Sequence, residues 1–262
     1  MKLKAKSILP LALSITMMFA ATAGSVSASA SDLEPISKSE TKQLVTNDGL
    51  ALGYVIVNKT IEYNNTDEGL EFTVTKDSDY TLNSEFANIE AYSNKFADGV
   101  EVNTYLLTEN KEIYADGQLL ASPSDSPSLS LRIAGGIPAI GHYYTSNDLS
   151  TYFFKSYSDI YVDWGLMIRP TGSHLNVGIY ESHPKVPFAK AELDSFANNY
   201  NDYEKSIKLT LVSLGLTAIS WASLVGLIGT GTAAAWAASD AVDAYNDAKS
   251  DVQDAFTYIS AF

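Results

Sequence analysis

The segment from Leu209 to Ser239 constrains the fold most, because it is the longest run without a charged residue in the chain. It reads LTLVSLGLTAISWASLVGLIGTGTAAAWAAS. An aliphatic half ends near Ile228, and an alanine-rich half surrounds Trp236. A run this apolar must lie in a protein core, in a lipid bilayer, or in each at different times.

The uncharged run has the pattern of a helical hairpin. Leu209–Ile228 contains 20 residues, and one helix of that length spans about 30 Å, the thickness of a bilayer core. Gly226, Gly229 and Gly231 would then form the turn that reverses the chain direction. Thr232–Phe256 is predicted to form a second helix, packed antiparallel to the first.

The second predicted helix has two unlike sides. At 100° per residue its five aspartates fall within an arc of about 80°: Asp240, Asp243, Asp247, Asp251 and Asp254. Val242, Tyr245 and Val252 fall on the opposite side. We therefore expect an acidic face that stays in water and an apolar face that packs.

Three locations are open for the uncharged run. A fixed membrane anchor is disfavoured, because Lys205 and Lys208 would lie outside and an aspartate-rich tail inside, against the positive-inside rule. Burial in a soluble core is the default for apolar sequence. The third is a hairpin held in a soluble fold and released into a target membrane, where small residues allow close helix contact.

In the third case, ten large apolar residues of the run are the ones predicted to enter the membrane. They are Leu209, Leu214, Leu216, Ile219, Trp221, Leu224, Val225, Leu227, Ile228 and Trp236.

Residues 1–30 have the pattern of a secretory signal peptide. Three lysines lie among the first six residues, Ile8–Ala21 is mostly apolar, and small residues offer cleavage after Ala28 or Ala30. We therefore predict a secreted, extracellular protein.

The mature chain is predicted to be strongly acidic and is free of cysteine. The formal net charge is −14, and it becomes −17 without the three lysines of the signal peptide. This charge argues against nucleic acid or an anionic surface as a resting partner. The absence of cysteine excludes disulfides and thiolate chemistry, as is common for proteins exported by Gram-positive bacteria.

After a polar leader at 31–48, residues 49–183 are predicted to form a β-rich body. GLALGYVIVNKTIEY and LEFTVTKD have strand patterns separated by the turn residues NNTDEG, which indicates a hairpin. Asp116-Gly117 marks a second hairpin and Pro170-Thr171-Gly172 a third. Asn83–Ala97 has helical spacing between the strands.

Residues 184–262 are predicted to form a helical module that contains the uncharged hairpin 209–239, because no strand pattern follows Pro184 and Pro187. Strands first and helices last indicate an α+β fold. It would consist of a β-rich antiparallel N-terminal body followed by a C-terminal hydrophobic helical hairpin.

No motif for catalysis or metal binding is evident. His142, His174 and His183 are scattered and lie outside any zinc-binding pattern. Asp77–Thr81 resembles a calcium loop but has Leu82 where a glycine is required. We therefore predict no enzyme activity, no cofactor and no metal. The aromatic block at 142–164 could bind sugar, although a β-rich core filled with aromatics is the commoner explanation.

The layout resembles that of the large secreted bacteriocins of bacilli, the geobacillin-type proteins. The export signal, the cysteine-free body and the apolar LTLVSLGLTAISWASLVGLIGTGTAAAWAAS near the C-terminus carry this resemblance. The uncharged Gly/Ala hairpin is also similar in kind to the hairpin of pore-forming colicins. The resemblance implies killing of related bacteria through their membranes.

The predicted function is therefore that of a secreted antibacterial protein that inserts its hairpin into target membranes. Its acidic charge would require a receptor, processing in the Ser/Pro loop at 122–130, or local acidification that protonates the clustered aspartates. The predicted partner is the target cell membrane, with an oligomer as an option on insertion and no nucleic acid. The alternative is a secreted cell-surface or matrix binding module in which the hairpin is structural.

Overall fold

The chain folds into two antiparallel sheets followed by C-terminal helices, so the predicted α+β class is confirmed. A computed structural model describes residues 33–110, 112–121, 142–146, 150–163, 165–217 and 219–262. The predicted signal peptide and the Ser/Pro loop at 122–130 lie outside these residues.

The first sheet has six strands, which are neighbours in the order of the sequence. They are β1 (Ile36–Val45), β2 (Ala51–Thr66), β3 (Gly69–Leu82), β4 (Gly99–Thr108), β5 (Ile113–Ala115) and β6 (Gln118–Ala121). The predicted hairpin of β2 and β3 is confirmed, and so is the turn between β5 and β6, where Asp116 and Gly117 have positive φ.

Strand β2 shows why this sheet has an inner and an outer face. Val55, Val57 and Ile61 are buried and alternate with exposed residues such as Ile56, as expected for a strand with one face on a core. Lys59 occupies a position in the buried series. A charged residue is therefore placed on the inner face by the strand period itself.

The second sheet has three strands in the order β7 (Tyr143–Ser146), β8 (Thr151–Asp163) and β9 (Met167–Tyr180). Two of its aromatic residues, Tyr144 and Phe154, are buried, and their rings lie 5.9 Å apart. Within the described residues, part of the predicted aromatic block therefore serves packing, whereas Tyr161 is exposed.

Two long helices lie between the sheets. The helices are α1 (Ser84–Ala87), α2 (Glu90–Lys95), α3 (Val186–Leu214), α4 (Trp221–Ile228) and α5 (Ala233–Ser260). Helices α3 and α5 run antiparallel, because Phe188 stacks on Tyr258 while Tyr203 lies beside Tyr245. Side chains from both sheets join them in one core, and each fully buried large apolar side chain contributes about 1.5–3 kcal/mol.

The predicted helix over Leu209–Ile228 is wrong. Helix α3 ends at Leu214, and a separate helix, α4, begins at Trp221. Gly215 follows α3 with φ of 65°, a left-handed conformation that ends a helix and favours glycine. The Ser220 hydroxyl then accepts the amide of Ser223 at 3.1 Å and caps α4.

Two further local predictions differ from the structure. Residues 36–45 of the predicted leader form the edge strand β1, because they pair along β2. The turn between β8 and β9 lies at Gly165, not at Pro170–Gly172. Pro170 lies inside β9, which pairs only with β8 among the described strands, and an edge strand tolerates a proline.

Candidate functional site

The uncharged run is divided between the end of α3, all of α4 and the start of α5. Its environment changes along the chain from exposed to buried. Residues 209–217 are mostly at the surface, whereas the run from Ile219 onward packs largely into the core. The predicted membrane-inserting residues therefore do not form one contiguous surface.

The exposed part is the end of α3. We define the α3 tip as four apolar residues whose exposures are 53%, 80%, 36% and 48%: Leu209, Val212, Leu214 and Leu216. Val212 was not among the predicted residues, although it is the most exposed of the four. A helical wheel of the charged N-terminal half of α3 could have found it, because that half defines which side of the helix is buried.

The buried part is centred on α4. Ile219, Leu224, Val225 and Ile228 are buried, and α4 lies against β5 and β6. The other three predicted residues are half-buried: Trp221, Leu227 and Trp236. Trp221 packs edge-on against Tyr245 of α5 with ring centroids 4.9 Å apart. This part of the run forms core contacts between the first sheet and α5.

The predicted glycine turn is only partly a turn. Gly226 lies inside α4, and Gly229 ends that helix. Gly231 has φ of 62° and lies in the connection to α5, where the chain changes direction. A Cβ atom at Gly229 would lie 3.1 Å from the Phe72 ring, so any larger residue there would require this ring of β3 to shift slightly.

None of the helices in the described ranges combines the length and the hydropathy needed to cross a bilayer.

The acidic side of α5 faces the first sheet. Asp243 and Asp251 are buried, Asp240 and Asp247 are half-buried, and only Asp254 is exposed. The first four form ion pairs with lysines of the sheet and of α2. The prediction that the acidic face of α5 is exposed to solvent therefore holds only for Asp254 among the five aspartates.

The lysines stand in register across the sheet. We define the lysine row as Lys38, Lys59 and Lys76, which lie directly opposite one another on β1, β2 and β3. Like charges at facing positions of neighbouring strands repel. Carboxylates from another element offset this repulsion at Lys59 and Lys76, whereas Lys38 lies 3.4 Å from Glu40 of its own strand.

Helix α5 supplies those carboxylates with matching spacing. Neighbouring strands are about 4.8 Å apart, and Asp243 and Asp247 are separated by about 6 Å along the helix axis. Lys59 Nζ lies 2.5 Å from Asp240 and 2.7 Å from Asp243, and Lys76 Nζ lies 2.7 Å from Asp247. Asp240 and Asp243 thus pair with β2, and Asp247, one turn after Asp243, pairs with β3.

Two further lysines extend this network beyond the row. Lys42 bridges Glu40 and Asp202 at 3.0 and 2.9 Å, and so joins β1 to α3. Lys95 bridges Glu192 and Asp251 at 2.6 and 2.5 Å, which joins α2 to both long helices.

The electrostatics of the network follow from burial and pairing. Burial lowers the pKa of Lys59, but attraction by Asp243 and Asp240 outweighs it and raises that pKa above its ordinary value. Burial raises the pKa of Glu192 to about 7 in spite of Lys95, because Lys95 is shared with the fully buried Asp251. Burial raises the pKa of Asp251 as well.

Asp194 of α3 forms a second buried polar centre. Its carboxylate accepts hydrogen bonds from the hydroxyls of Tyr92 at 2.6 Å and Tyr144 at 2.8 Å, and from the amide of Asn47 at 2.6 Å. Burial raises the pKa of Asp194 to about 6, against these hydrogen bonds. The contacts tie α2, β7 and the β1–β2 connection to α3.

The sequence reading missed these lysines, although a signal for them exists. Lys59 and Lys76 continue the buried alternation of Val55-Val57 and Phe72-Val74. A lysine in the apolar series of a strand predicts a buried carboxylate partner elsewhere. Five aspartates on one side of a helix are the obvious source.

The histidines do not form a reactive centre within the described residues. His142 is buried, and burial beside Lys155 lowers its pKa to about 3, so that it stays neutral. Its Nδ1 accepts the amide of Tyr157 at 3.2 Å. Across the described ranges, no three His, Asp or Glu side chains are grouped so as to hold a metal ion.

Comparison with protein-family models, curated proteins and solved structures gave no match.

Proposed function

We propose that this chain is a secreted antibacterial protein that acts on the membranes of target cells, with the uncharged run as its membrane-contacting element. The observation that carries the proposal is the exposed α3 tip, which continues directly into the apolar segment 219–239. A soluble protein seldom leaves adjacent large apolar side chains in water unless they contact a partner or a membrane.

The mechanism has two steps in this proposal. The α3 tip first contacts the membrane while the rest of the fold stays intact. Helix α4 and the start of α5 then leave the core, and their uncharged residues exchange protein packing for lipid. Departure of α4 breaks its contacts with the short strands β5 and β6 and the hydrogen bond from the Tyr63 hydroxyl of β2 to the Ile228 carbonyl at 3.1 Å.

The aspartates have a different role from the one expected of an exposed acidic face. Four of them pair with lysines: Asp240 and Asp243 with Lys59 and Asp247 with Lys76 of the first sheet, and Asp251 with Lys95 of α2. These ion pairs hold α5 in the core, so those near its start have to break before this part of α5 can leave.

The test is dye release from liposomes and killing of Gram-positive cells by the mature chain, at pH 7 and pH 5. Val212→Asp adds a charge at the α3 tip, where the side chain is in water, so the fold is expected to survive. Val100→Asp is the matched control, because Val100 is 64% exposed on β4, in the first sheet. We expect Val212→Asp to reduce release and killing at least tenfold and Val100→Asp to change neither.

Folding of both variants is checked by circular dichroism. Absence of release and killing by the folded wild-type chain at both pH values would refute the proposed function. Binding to polysaccharide or to a protein with intact liposomes would instead support the binding-module alternative.

A further inference from the structure

The α3 tip lies next to two cations in a chain that is otherwise acidic. Lys205 and Lys208 are exposed, and together with Leu209 and Val212 they line one shallow groove along α3. From Lys205 to Ser239 they are the only charged residues. One acid shares the groove: Glu204 accepts the hydroxyl of Tyr200 at 2.8 Å and lies 3.6 Å from Lys208.

Part of the backbone at the α3 tip is hydrogen-bonded within the chain. The amide of Leu216 donates to the carbonyl of Leu211 at 2.9 Å, and the amide of Gly215 donates to the carbonyl of Val212 at 3.2 Å. The hydroxyl of Ser213 donates to the carbonyl of Thr210 at 2.8 Å. Two of the last four carbonyls of α3, those of Leu211 and Val212, are thus paired.

This pairing matters because unpaired backbone groups are costly to place in an apolar phase. A helix end that had to stay in water could leave its last carbonyls to solvent. The two paired carbonyls lower this cost, and the exposed Leu and Val side chains favour the apolar part of a bilayer.

The dimensions agree with the same partner. Leu214 lies six residues beyond Lys208, which corresponds to about 9 Å along the helix axis. Apolar segments that lie at a bilayer surface enter it by about 5–10 Å. With Lys205 and Lys208 at the level of the phosphates, the α3 tip would therefore reach the boundary of the acyl chains, and the lysine stems allow adjustment of their depth.

We propose that the α3 tip with Lys205 and Lys208 is a docking site for bilayers of anionic phospholipid. The lysines bind lipid phosphates, and Leu209, Val212, Leu214 and Leu216 enter the interface. This inference rests on the proposed membrane function and adds the two lysines and the lipid class. It also explains how a chain of net charge −14 binds an anionic surface, because the charge that faces the membrane is local and positive.

Docking is measured on the mature chain with the substitution Val212→Cys. Because the sequence has no cysteine of its own, the new thiol is the single attachment point for an environment-sensitive fluorophore. Val100→Cys carries the same fluorophore as control. With phosphatidylglycerol/phosphatidylcholine vesicles we expect a blue shift at position 212 and none at position 100. Vesicles of phosphatidylcholine alone should bind at least tenfold more weakly.

The role of the lysines is tested by Lys205→Gln with Lys208→Gln. Each lysine near an anionic surface strengthens binding about fivefold, so the pair should weaken binding about 25-fold. The control replaces Lys155 and Lys249, which are on β8 and α5, by Gln and carries the same change in charge. We expect that control to bind as the wild type does.

Dye release measured in parallel separates this inference from the proposed function. Release that continues when docking at position 212 is absent would overturn the docking site and leave the function standing. Docking without release would support the site and refute insertion. A blue shift that grows with protein concentration in the absence of vesicles, with a dimer in sedimentation, would overturn the lipid assignment in favour of a second copy of the chain.

Discussion

Replacement of Lys59 by methionine should destabilise the fold more than any surface charge change. The Lys59 side chain is 2% exposed and lies between Asp240 and Asp243, whose side chains are 12% and 8% exposed. Methionine fills most of the space but leaves two carboxylates without their cation. Removal of one partner of a buried ion pair costs about 3–5 kcal/mol in free energy of unfolding.

The measurement is urea unfolding of Lys59→Met followed by circular dichroism. With a slope of about 2–3 kcal/mol per M, the expected loss lowers the urea midpoint by about 1–2.5 M. Lys38→Met is the matched control. The Nζ atoms of Lys38 and Lys59 lie 5.2 and 5.3 Å from the Trp236 ring, but the Lys38 side chain is 40% exposed. Its expected change is within about 0.5 kcal/mol.

A second variant separates the lost cation from the lost packing. Lys59→Met combined with Asp240→Asn and Asp243→Asn removes all three charges, and we expect it to regain most of the stability. If Lys59→Met alone unfolds within about 0.5 kcal/mol of the wild type, these ion pairs do not hold α5 on the sheet. The reasoning on the release of α5 would then fail with it.

Three further perturbations test other contacts. The pKa of Glu192 is raised in the folded state from 4.5 to about 7, so this state binds the proton more tightly than the unfolded chain. The free energy of unfolding should therefore fall as pH rises from 5 to 7.5, and Glu192→Gln should flatten that dependence in urea titrations. Gly215→Ala should lower the free energy of unfolding by about 1 kcal/mol, because φ of 65° strains an L-residue although nothing lies within 4 Å of the new Cβ. Gly99→Ala, with equal space and no positive φ, should show no such loss in the same thermal denaturation series. A chain truncated after Lys205 should lose its near-ultraviolet circular dichroism, because α4 and α5 supply much of the core. A native spectrum of the truncated chain would contradict the assignment of that core.

The features predicted well are those that neighbouring residues encode. Strands β2 and β3 follow from the alternation of apolar and polar residues and from the turn between them. The start of α5 at Ala233, one residue after the predicted start, follows the glycines that precede it. The end of α3 at Leu214 differs from the prediction, because the uniform hydropathy of Leu209–Ile228 predicts one continuous helix. Gly215 is nevertheless a local signal for a helix end.

The sequence by itself determines three features: the uncharged run, the acidic side of α5 and the lysines in the strands. Each depends only on residue type and local spacing. The sequence does not show which of these features contact one another. Lys59 and Asp240 are 181 residues apart, and their contact depends on how α5 crosses the first sheet. The same packing buries Leu224 and leaves Val212 in water, although both belong to one apolar run. Hydropathy measures how readily a side chain leaves water, whereas the surface that covers it is supplied by residues distant in sequence.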